Sequence, residues 1–167
     1  MAILRWLGAA ALATLFSTAV QGAVNLSFVE PSRYTDAWDW NQDGLDTLRE
    51  LRNHLQGLGE RYLLPGYTLD LSILDVKLAG NSRLAFGVNP EIRVASGDAD
   101  WPRIELAYTL WSGKTAIGSG HETIVDRTYL RRLDPNYNPA SPLAYEKRML
   151  DDWFRTRFVY LRSPPSH

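Results

Sequence analysis

An acidic segment that begins at Asp39 carries the clearest chemical spacing in the chain. Gly44 stands at its sixth position, and oxygen-bearing side chains occupy the first, third, fifth and twelfth: Asp39, Asn41, Asp43 and Glu50. This is the ligand pattern of an EF-hand calcium loop, in which glycine permits the sharp turn. Against it, Asp46 replaces the aliphatic residue that is usual at the eighth position. Two hypotheses remain, a calcium site and an acidic helix start that favours the positive end of the helix dipole.

Asp75 and His121 offer a second chemistry, acid–base catalysis in a small hydrolase. Asp75 lies next to a phase slip in an apolar alternation, so it is expected to be partly buried and to need a cationic partner such as Arg103 or Lys77. Val125 stands where a zinc-protease helix needs its second histidine after His121. A structural salt bridge is the favoured interpretation of Asp75, and the hydrolase is its rival. Overall the residues favour a protein that is not an enzyme.

Asp75, Trp101 and Arg103 are also the candidate binding residues. A guanidinium beside tryptophan can stack on the ring or bind a carboxylate or phosphate with its planar fork. The segment from Asp126 to Pro142, with three prolines and no apolar period, is long enough to extend such a surface. The alternative is that Trp101 packs under the end of the sheet while Arg103 neutralises Asp75.

The composition excludes several classes of function. The chain has 167 residues and no cysteine, so disulfides, thiol nucleophiles, thiolate metal sites and a lipid-anchored cysteine are excluded. No cofactor is expected apart from the calcium hypothesis. Removal of Arg5 with a leader would leave 17 basic and 19 acidic residues, a net charge of −2. Without a basic patch, nucleic acid is not expected as a partner.

The first 22 residues are predicted to be a signal peptide. A positive charge at Arg5 precedes an apolar run from Leu7 to Val20, and Val20-Gln21-Gly22 fits a cleavage site. The run is shorter than the roughly 20 residues that span a bilayer, so we expect no transmembrane span after cleavage. An exported chain without disulfides fits the periplasm or secretion from a bacterium.

The strands that must position these side chains are predicted from apolar alternation. Tyr67 to Gly80 is expected to be the central strand, with a β-bulge at the phase slip after Ile73. The runs 104–110 and 115–125 are expected to pair beside it as antiparallel strands. Val24 to Val29 is predicted to be an edge strand, 92–96 a short strand and 81–90 a loop.

Apolar residues at spacings of three and four predict two helices. The first contains Leu45 to Tyr62 and is capped by Asn41 or Asp43, with His54 solvated. The second runs from Leu143 to about Phe158 after Ser141-Pro142, with its charged side chains facing out: Glu146, Arg148, Asp152 and Arg155. The predicted fold is α+β, an antiparallel sheet of four to five strands with two helices on one face. It forms a single domain over 23–160, followed by a disordered tail at 161–167.

Several short blocks, in order along the chain, resemble the bacterial family called domain of unknown function 3016. The resemblance covers essentially the whole chain after residue 22 and rests on Phe28-Val29-Glu30-Pro31, Tyr34-Thr35-Asp36, Leu64-Pro65-Gly66, the stretch 74–80, Trp101-Pro102-Arg103-Ile104 and the stretch 147–154. It implies an exported bacterial protein and supplies neither a reaction nor catalytic residues. Together with the composition, this predicts a non-enzymatic binding or envelope-accessory domain, whose partner is an envelope protein or a small ligand.

Overall fold

The computed structural model describes residues 21–36, 42–83, 92–97, 99–132, 134, 136–138 and 141–158, without the side chains of 42–44, 81–83 and 92–93. Residues 1–20 of the predicted signal peptide and the predicted tail at 161–167 lie outside these ranges. The elements in chain order are β1 (Ala23–Phe28), α1 (Gln42–Tyr62), β2 (Tyr67–Lys77), β3 (Asn81–Arg83), β4 (Ile92–Val94), β5 (Arg103–Ser112), β6 (Thr115–Val125) and α2 (Ala144–Phe158).

β2 is the centre of the main sheet, as its apolar alternation predicts. Leu69, Leu71 and Ile73 are buried on one face, and after the phase slip Val76 continues that face. The register against β5 shifts between Ile73 and Asp75, so the predicted β-bulge is confirmed. The bulge turns Asp75 to the face opposite the core, where it pairs across the strands with Glu105.

The strand order of the main sheet is β1-β2-β5-β6, with β1 and β6 at the edges. β2 pairs antiparallel with β5 and β5 with β6, whereas β1 runs parallel to β2. The parallel pair arises because α1 carries the chain back to the end at which β1 began. The sheet is therefore mixed and mostly antiparallel, and the α+β fold is confirmed.

Both helices pack on the same face of this sheet and close one core. α1 contributes buried leucines at 51, 55 and 58, whereas Leu45 in its first turn is 55% exposed. α2 contributes an aromatic cluster in which the rings of Trp153 and Phe158 meet the ring of Tyr108 on β5 edge to face. The Tyr108 ring lies so close to Gly120 of β6 that a Cβ there would meet it at 2.8 Å.

Two predicted boundaries are corrected by the structure. Asn81–Arg83, expected within a loop, forms β3 and pairs with β4, because the chain turns back and lets two short segments satisfy each other's backbone. α2 begins at Ala144, since Leu143 has φ 54° in the left-handed region and cannot be a helical residue.

Gly22, directly before β1, is buried against α1 and the turn that follows it. An added Cβ would meet the Cβ of Leu63 at 2.4 Å, and the neighbouring Gln21 side chain donates to the Glu60 carbonyl at 2.9 Å. The first strand therefore docks along its whole length, including the residue before it.

Candidate functional site

The face of the main sheet opposite the helices, here called the open face, carries mostly polar side chains. Alternation along each strand and the pairing registers assign its members. In contrast to the helix-covered face, none of these side chains is buried. They are Ala23, Asn25, Ser27, Thr68, Asp70, Ser72, Asp75, Lys77, Arg103, Glu105, Ala107, Thr109, Trp111, Ala116, Ser119, His121, Thr123 and Val125.

Asp70 joins three strands of the open face. Its Oδ1 atom accepts from the Asn25 amide at 2.8 Å, and its Oδ2 atom accepts from the indole Nε1 of Trp111 at 2.7 Å. Next to this group, the hydroxyls of Ser27 and Ser72 lie 3.0 Å apart. These bonds run across the strands, so the polar face is ordered by its own side chains.

Asp75 is held by two other segments at the far end of the open face. Thr35 donates from its backbone N to Oδ1 at 2.5 Å and from its hydroxyl to Oδ2 at 2.7 Å. The Nη2 atom of Arg103 donates to Oδ2 at 2.8 Å and to the Thr35 hydroxyl at 3.0 Å. Burial raises the pKa of Asp75, but the bonds from Thr35 and Arg103 outweigh burial and leave the pKa below its ordinary value. The expected ion pair between Asp75 and Arg103 is present.

His121 and Asp75 share the open face, but each is engaged by a different partner. The Nε2 atom of His121 lies 2.8 Å from the Oε1 atom of Glu105, and Glu105 stands beside Asp75 in the register. His121 is largely exposed rather than enclosed in a cleft. A general base must reach the group it deprotonates, and here the two candidate partners of the hydrolase hypothesis are separated by Glu105.

Trp101 is engaged by a second arginine. The guanidinium of Arg127 lies 5.4 Å from the centre of the Trp101 ring, and Lys77 Nζ donates to the Trp101 carbonyl at 3.3 Å. Arg103 points instead to Asp75. The tryptophan and the arginine that were expected to recognise a ligand together thus have separate intramolecular partners.

The segment after β6 is fixed to α2 by a buried ion pair that sequence reasoning missed. Arg148 Nη2 donates to Asp126 Oδ2 at 3.0 Å and to the Tyr129 carbonyl at 2.7 Å, and Nη1 donates to the Arg132 carbonyl at 2.6 Å. The expectation that Arg148 and Glu146 face solvent is wrong, since both are buried. The reason is that residues 126–132 cover this side of α2, while Glu146 accepts from the backbone N of Ala79 at 2.6 Å.

Asp100 is a fully buried carboxylate that joins two loops. It accepts from the backbone N and hydroxyl of Ser96 at 2.6 and 3.0 Å, from Gly97 N at 3.0 Å and from the Tyr129 hydroxyl at 2.7 Å. Burial raises the pKa of Asp100, but these bonds outweigh it and bring the pKa to about 2. Aspartate commonly bonds to the backbone of its own turn, whereas nothing in the sequence indicates the contact with Tyr129.

A cavity of about 570 Å³ lies between the end of β6 and α2. Its charged lining is internally paired, with Arg132 Nη1 at 2.6 Å from Asp152 Oδ2 and Asp126 bound to Arg148. Trp153 lines it with its ring and donates from Nε1 to Glu122 at 2.9 Å. The cavity thus offers a ligand few groups that are not already bonded, and the open face is the stronger candidate site.

The calcium hypothesis is weakened because a helix begins inside the proposed loop. α1 begins at Gln42, so the fifth and twelfth positions of the proposed loop, Asp43 and Glu50, are helical and about 10 Å apart along the axis. The Oε1 atom of Glu50 is 2.8 Å from the Nζ atom of Lys147 on α2. Asp39 and Asn41 lie outside the described residues, and among the described residues no group of three or more acidic or histidine side chains could hold a metal ion.

His54 is not solvated, contrary to the prediction. Its Nε2 atom lies 3.0 Å from the Lys147 carbonyl, and its ring meets that of Tyr137 edge to face. Burial between the helices lowers the pKa of His54. The first helix therefore uses this histidine for packing.

Fold and surface together define a small α+β domain in which one sheet is covered by helices on one face and presents a bonded polar array on the other. The chain belongs to the family described as Protein of unknown function (DUF3016), whose model matches residues 22–156. No curated protein and no solved structure matches the chain. Within the described ranges, no helix has both the length and the apolar character needed to cross a membrane.

Proposed function

We propose that this protein is an exported, non-enzymatic binding domain of the bacterial cell envelope, periplasmic or secreted, whose open face contacts an envelope protein or a small ligand. The observation that supports the binding role is that three carboxylates of the open face each accept from an intramolecular donor: Asp70, Asp75 and Glu105. A general base works best with a pKa near the operating pH, whereas, against the effect of burial, the bonds from Thr35 and Arg103 lower the pKa of Asp75. A recognition surface, in contrast, gains affinity from groups that are held in place.

Arg103 is the residue through which this surface would take an acceptor group. Its Nη2 atom makes both bonds to Thr35 and Asp75, and no described residue bonds to its Nη1 or Nε atoms. The side chain is 39% exposed. Because Asp75 and Thr35 fix the plane of the guanidinium, the remaining donors are oriented before a carboxylate, phosphate or hydroxyl arrives.

Export is tested by expressing the full chain in a bacterium and determining both its compartment and its N-terminus. The proposal expects a chain that begins at Ala23 in the periplasmic fraction or the medium. A chain that stays in the cytoplasm with residues 1–22 attached would contradict this part of the proposal.

Binding is tested by nuclear magnetic resonance on the chain from Ala23, titrated with soluble peptidoglycan fragments and, separately, with a periplasmic protein fraction. The proposal expects shifts at the Trp111 indole and the Arg103 side chain, and an affinity about tenfold lower in Arg103→Gln. Arg49→Gln, on the outer side of α1, is the matched control and should bind normally. Shifts confined to the helices, or none with either probe, would refute a role for the open face.

A further inference from the structure

Three cationic side chains, here called the basic corner, meet at one end of the open face: Lys77, Arg103 and Arg127. Lys77 lies directly opposite Arg103 in the pairing of β2 with β5. Arg103 pairs in turn with Val125, and the same register continued by two residues places Trp101 opposite Arg127. The Arg127 guanidinium, 5.4 Å from the centre of the Trp101 ring, fits this placement. The Cβ atoms of Lys77 and Arg127 are therefore within about 8 Å of the Arg103 Cβ atom.

Two of these cations have no carboxylate partner among the residues that the structure describes. Lys77 Nζ donates to the Trp101 carbonyl at 3.3 Å, and Arg127 contacts the Trp101 ring. Asp75 is bonded to Arg103 and compensates one of the three charges. Like charges directly opposite each other on paired strands, such as Lys77 and Arg103, are destabilising. The basic corner therefore has a positive charge that an anion would stabilise.

The other carboxylates around the basic corner are bonded to groups outside it. They are Asp36, Asp100, Glu105 and Asp126, whose partners are the Leu78 backbone N, the Tyr129 hydroxyl, His121 Nε2 and Arg148 Nη2. Asp100 and Asp126 are also buried. Arg127, in contrast, is exposed, and Lys77 and Arg103 are partly exposed. A ligand in solvent can therefore reach all three cations.

We infer, resting on the proposed binding role of the open face, that the basic corner binds the phosphomonoester group of a small ligand. A phosphomonoester carries about two negative charges at neutral pH and has three acceptor oxygens. Its charge matches the two cations that Asp75 leaves uncompensated. Its oxygens can accept from Lys77 and from the Nη1 and Nε atoms of Arg103, which bond to no described residue. A carboxylate, with one charge and two oxygens, would compensate only one of the two cations.

The charge of the ligand is tested by nuclear magnetic resonance titrations of the protein with methyl phosphate and, separately, with dimethyl phosphate at pH 7.5. The two probes share the phosphate group but carry about two charges and one charge, respectively. Methyl phosphate should shift the side-chain signals of Arg103, Arg127 and the Trp101 indole, with an affinity at least about fivefold higher than that of dimethyl phosphate. Equal affinities for the two probes, or an equal affinity for acetate, would overturn the assignment to a phosphomonoester.

Lys77→Gln and Arg127→Gln test the members of the basic corner. Each should weaken the binding of methyl phosphate about tenfold, because one charge-assisted contact is lost. Lys114→Gln, in the turn between β5 and β6 at the opposite end of these strands, and Arg49→Gln, on α1, are the matched controls. They remove the same charge at exposed positions and should change the affinity less than about twofold. An equal loss in the controls would show attraction to the overall charge and would refute the site.

The binding role of the open face and the identity of its ligand fail on different results. If the Trp111 and Arg103 signals respond to peptidoglycan fragments but not to methyl phosphate, the phosphate ligand is refuted and the binding role stands. If the protein binds vesicles of phosphatidylglycerol but not methyl phosphate, the basic corner contacts a membrane surface and the small ligand is refuted. If no probe, methyl phosphate included, shifts any signal of the open face, both proposals are refuted.

Discussion

Individual carboxylates in this protein are held by donors from distant parts of the chain, and this pattern determines how the protein should respond to acid. Asp75 is bonded by Thr35 and Arg103, and Asp100 by residues before it and by Tyr129. In each case the bonds stabilise the ionised form more than burial destabilises it. Acid should therefore destabilise the fold by protonating these groups.

Asp100→Asn should lower the free energy of unfolding by about 2 kcal/mol at pH 7, because the depressed pKa measures the preference of the folded state for the carboxylate. The folded pKa of about 2 lies below the ordinary 3.8, so the contribution is complete above pH 4 and is lost as the pH falls from 4 to 2. Urea unfolding across this range measures it. Asp46→Asn, an exposed partner of Arg49, should change stability by less than about 0.5 kcal/mol, and an equal loss in both variants would contradict the assignment.

The Asp75 and Arg103 pair should show a coupling free energy of about 0.5–1 kcal/mol in a double-mutant cycle of Asp75→Asn and Arg103→Gln. The value is modest because Arg103 is partly exposed and solvent screens the charges. Since the pKa of Asp75 is depressed, the coupling should be present at pH 7 and disappear as the pH falls through the folded pKa, below 3.8. The Asp46 and Arg49 pair is the control, with a smaller coupling; a coupling at Asp75 that does not change with pH would rule out a charge interaction.

At this scale, the sequence revealed only the contacts that follow from local pattern. The phase slip after Ile73 marked Asp75 as partly buried and in need of a cation, and Arg103 was among the candidates. The pair of Asp126 and Arg148 had no such signal, because no local pattern marks either residue as buried and the two meet only when the segment after β6 packs on α2. A charged residue on a helix is predicted to be exposed to solvent unless the segment that covers it is known.

Among the elements, α1 shows how closely a helix is fitted to the sheet edge. Gly59 lies against β1, where a Cβ would meet a methyl group of Val24 at 2.4 Å, whereas a Cβ on Gly57 would meet nothing within 4 Å. Both glycines belong to the same helix, so their helix propensities are comparable. They differ in the space beside them.

Gly57→Ala should therefore raise the free energy of unfolding by about 0.5–1 kcal/mol, because alanine is the better helix former. Gly59→Ala should lower it by about 1–3 kcal/mol, since β1 must move away from the helix. Thermal and urea unfolding of both variants measure the difference. If the two substitutions have the same effect, the close approach of α1 and β1 is refuted.

The elements were largely predictable because alternation and helical spacing are strong over 10 or more residues in β2, β5 and α1. The direction of β1 was not predictable, because parallel or antiparallel pairing depends on the path of the connection to the next strand. That path produces no pattern within a six-residue strand. The pairing of β3 with β4 was missed for a related reason, as three residues are too few to show a period.

The molecule as a whole has one helix-covered and one polar sheet face, and this division explains why the open face is the candidate site. Every buried leucine of the helices serves the covered face, so the polar side chains of the other face contribute little to the core. Local pattern identified single members of the site, such as Asp75 and Arg103, but not the site as a whole, because its members come from four strands and a loop and share only a side of the sheet.

Calcium should leave the thermal unfolding midpoint unchanged. A ligand that binds only the folded state raises the unfolding midpoint. Here, however, α1 separates Asp43 from Glu50, and Glu50 forms an ion pair with Lys147. The check is a melt in excess calcium and another in chelator. A midpoint several degrees higher with calcium would revive the site at Asp39–Glu50.

The burial of Gly22 against Leu63 has a consequence for the order of events in the cell. If the chain is exported as proposed, a peptidase must bind the Gly22–Ala23 bond in an extended, accessible conformation. In the folded domain, however, Gly22 is buried and Ala23 pairs with Thr68. Maturation must then precede docking of the first strand. A precursor that folded before cleavage would retain residues 1–22.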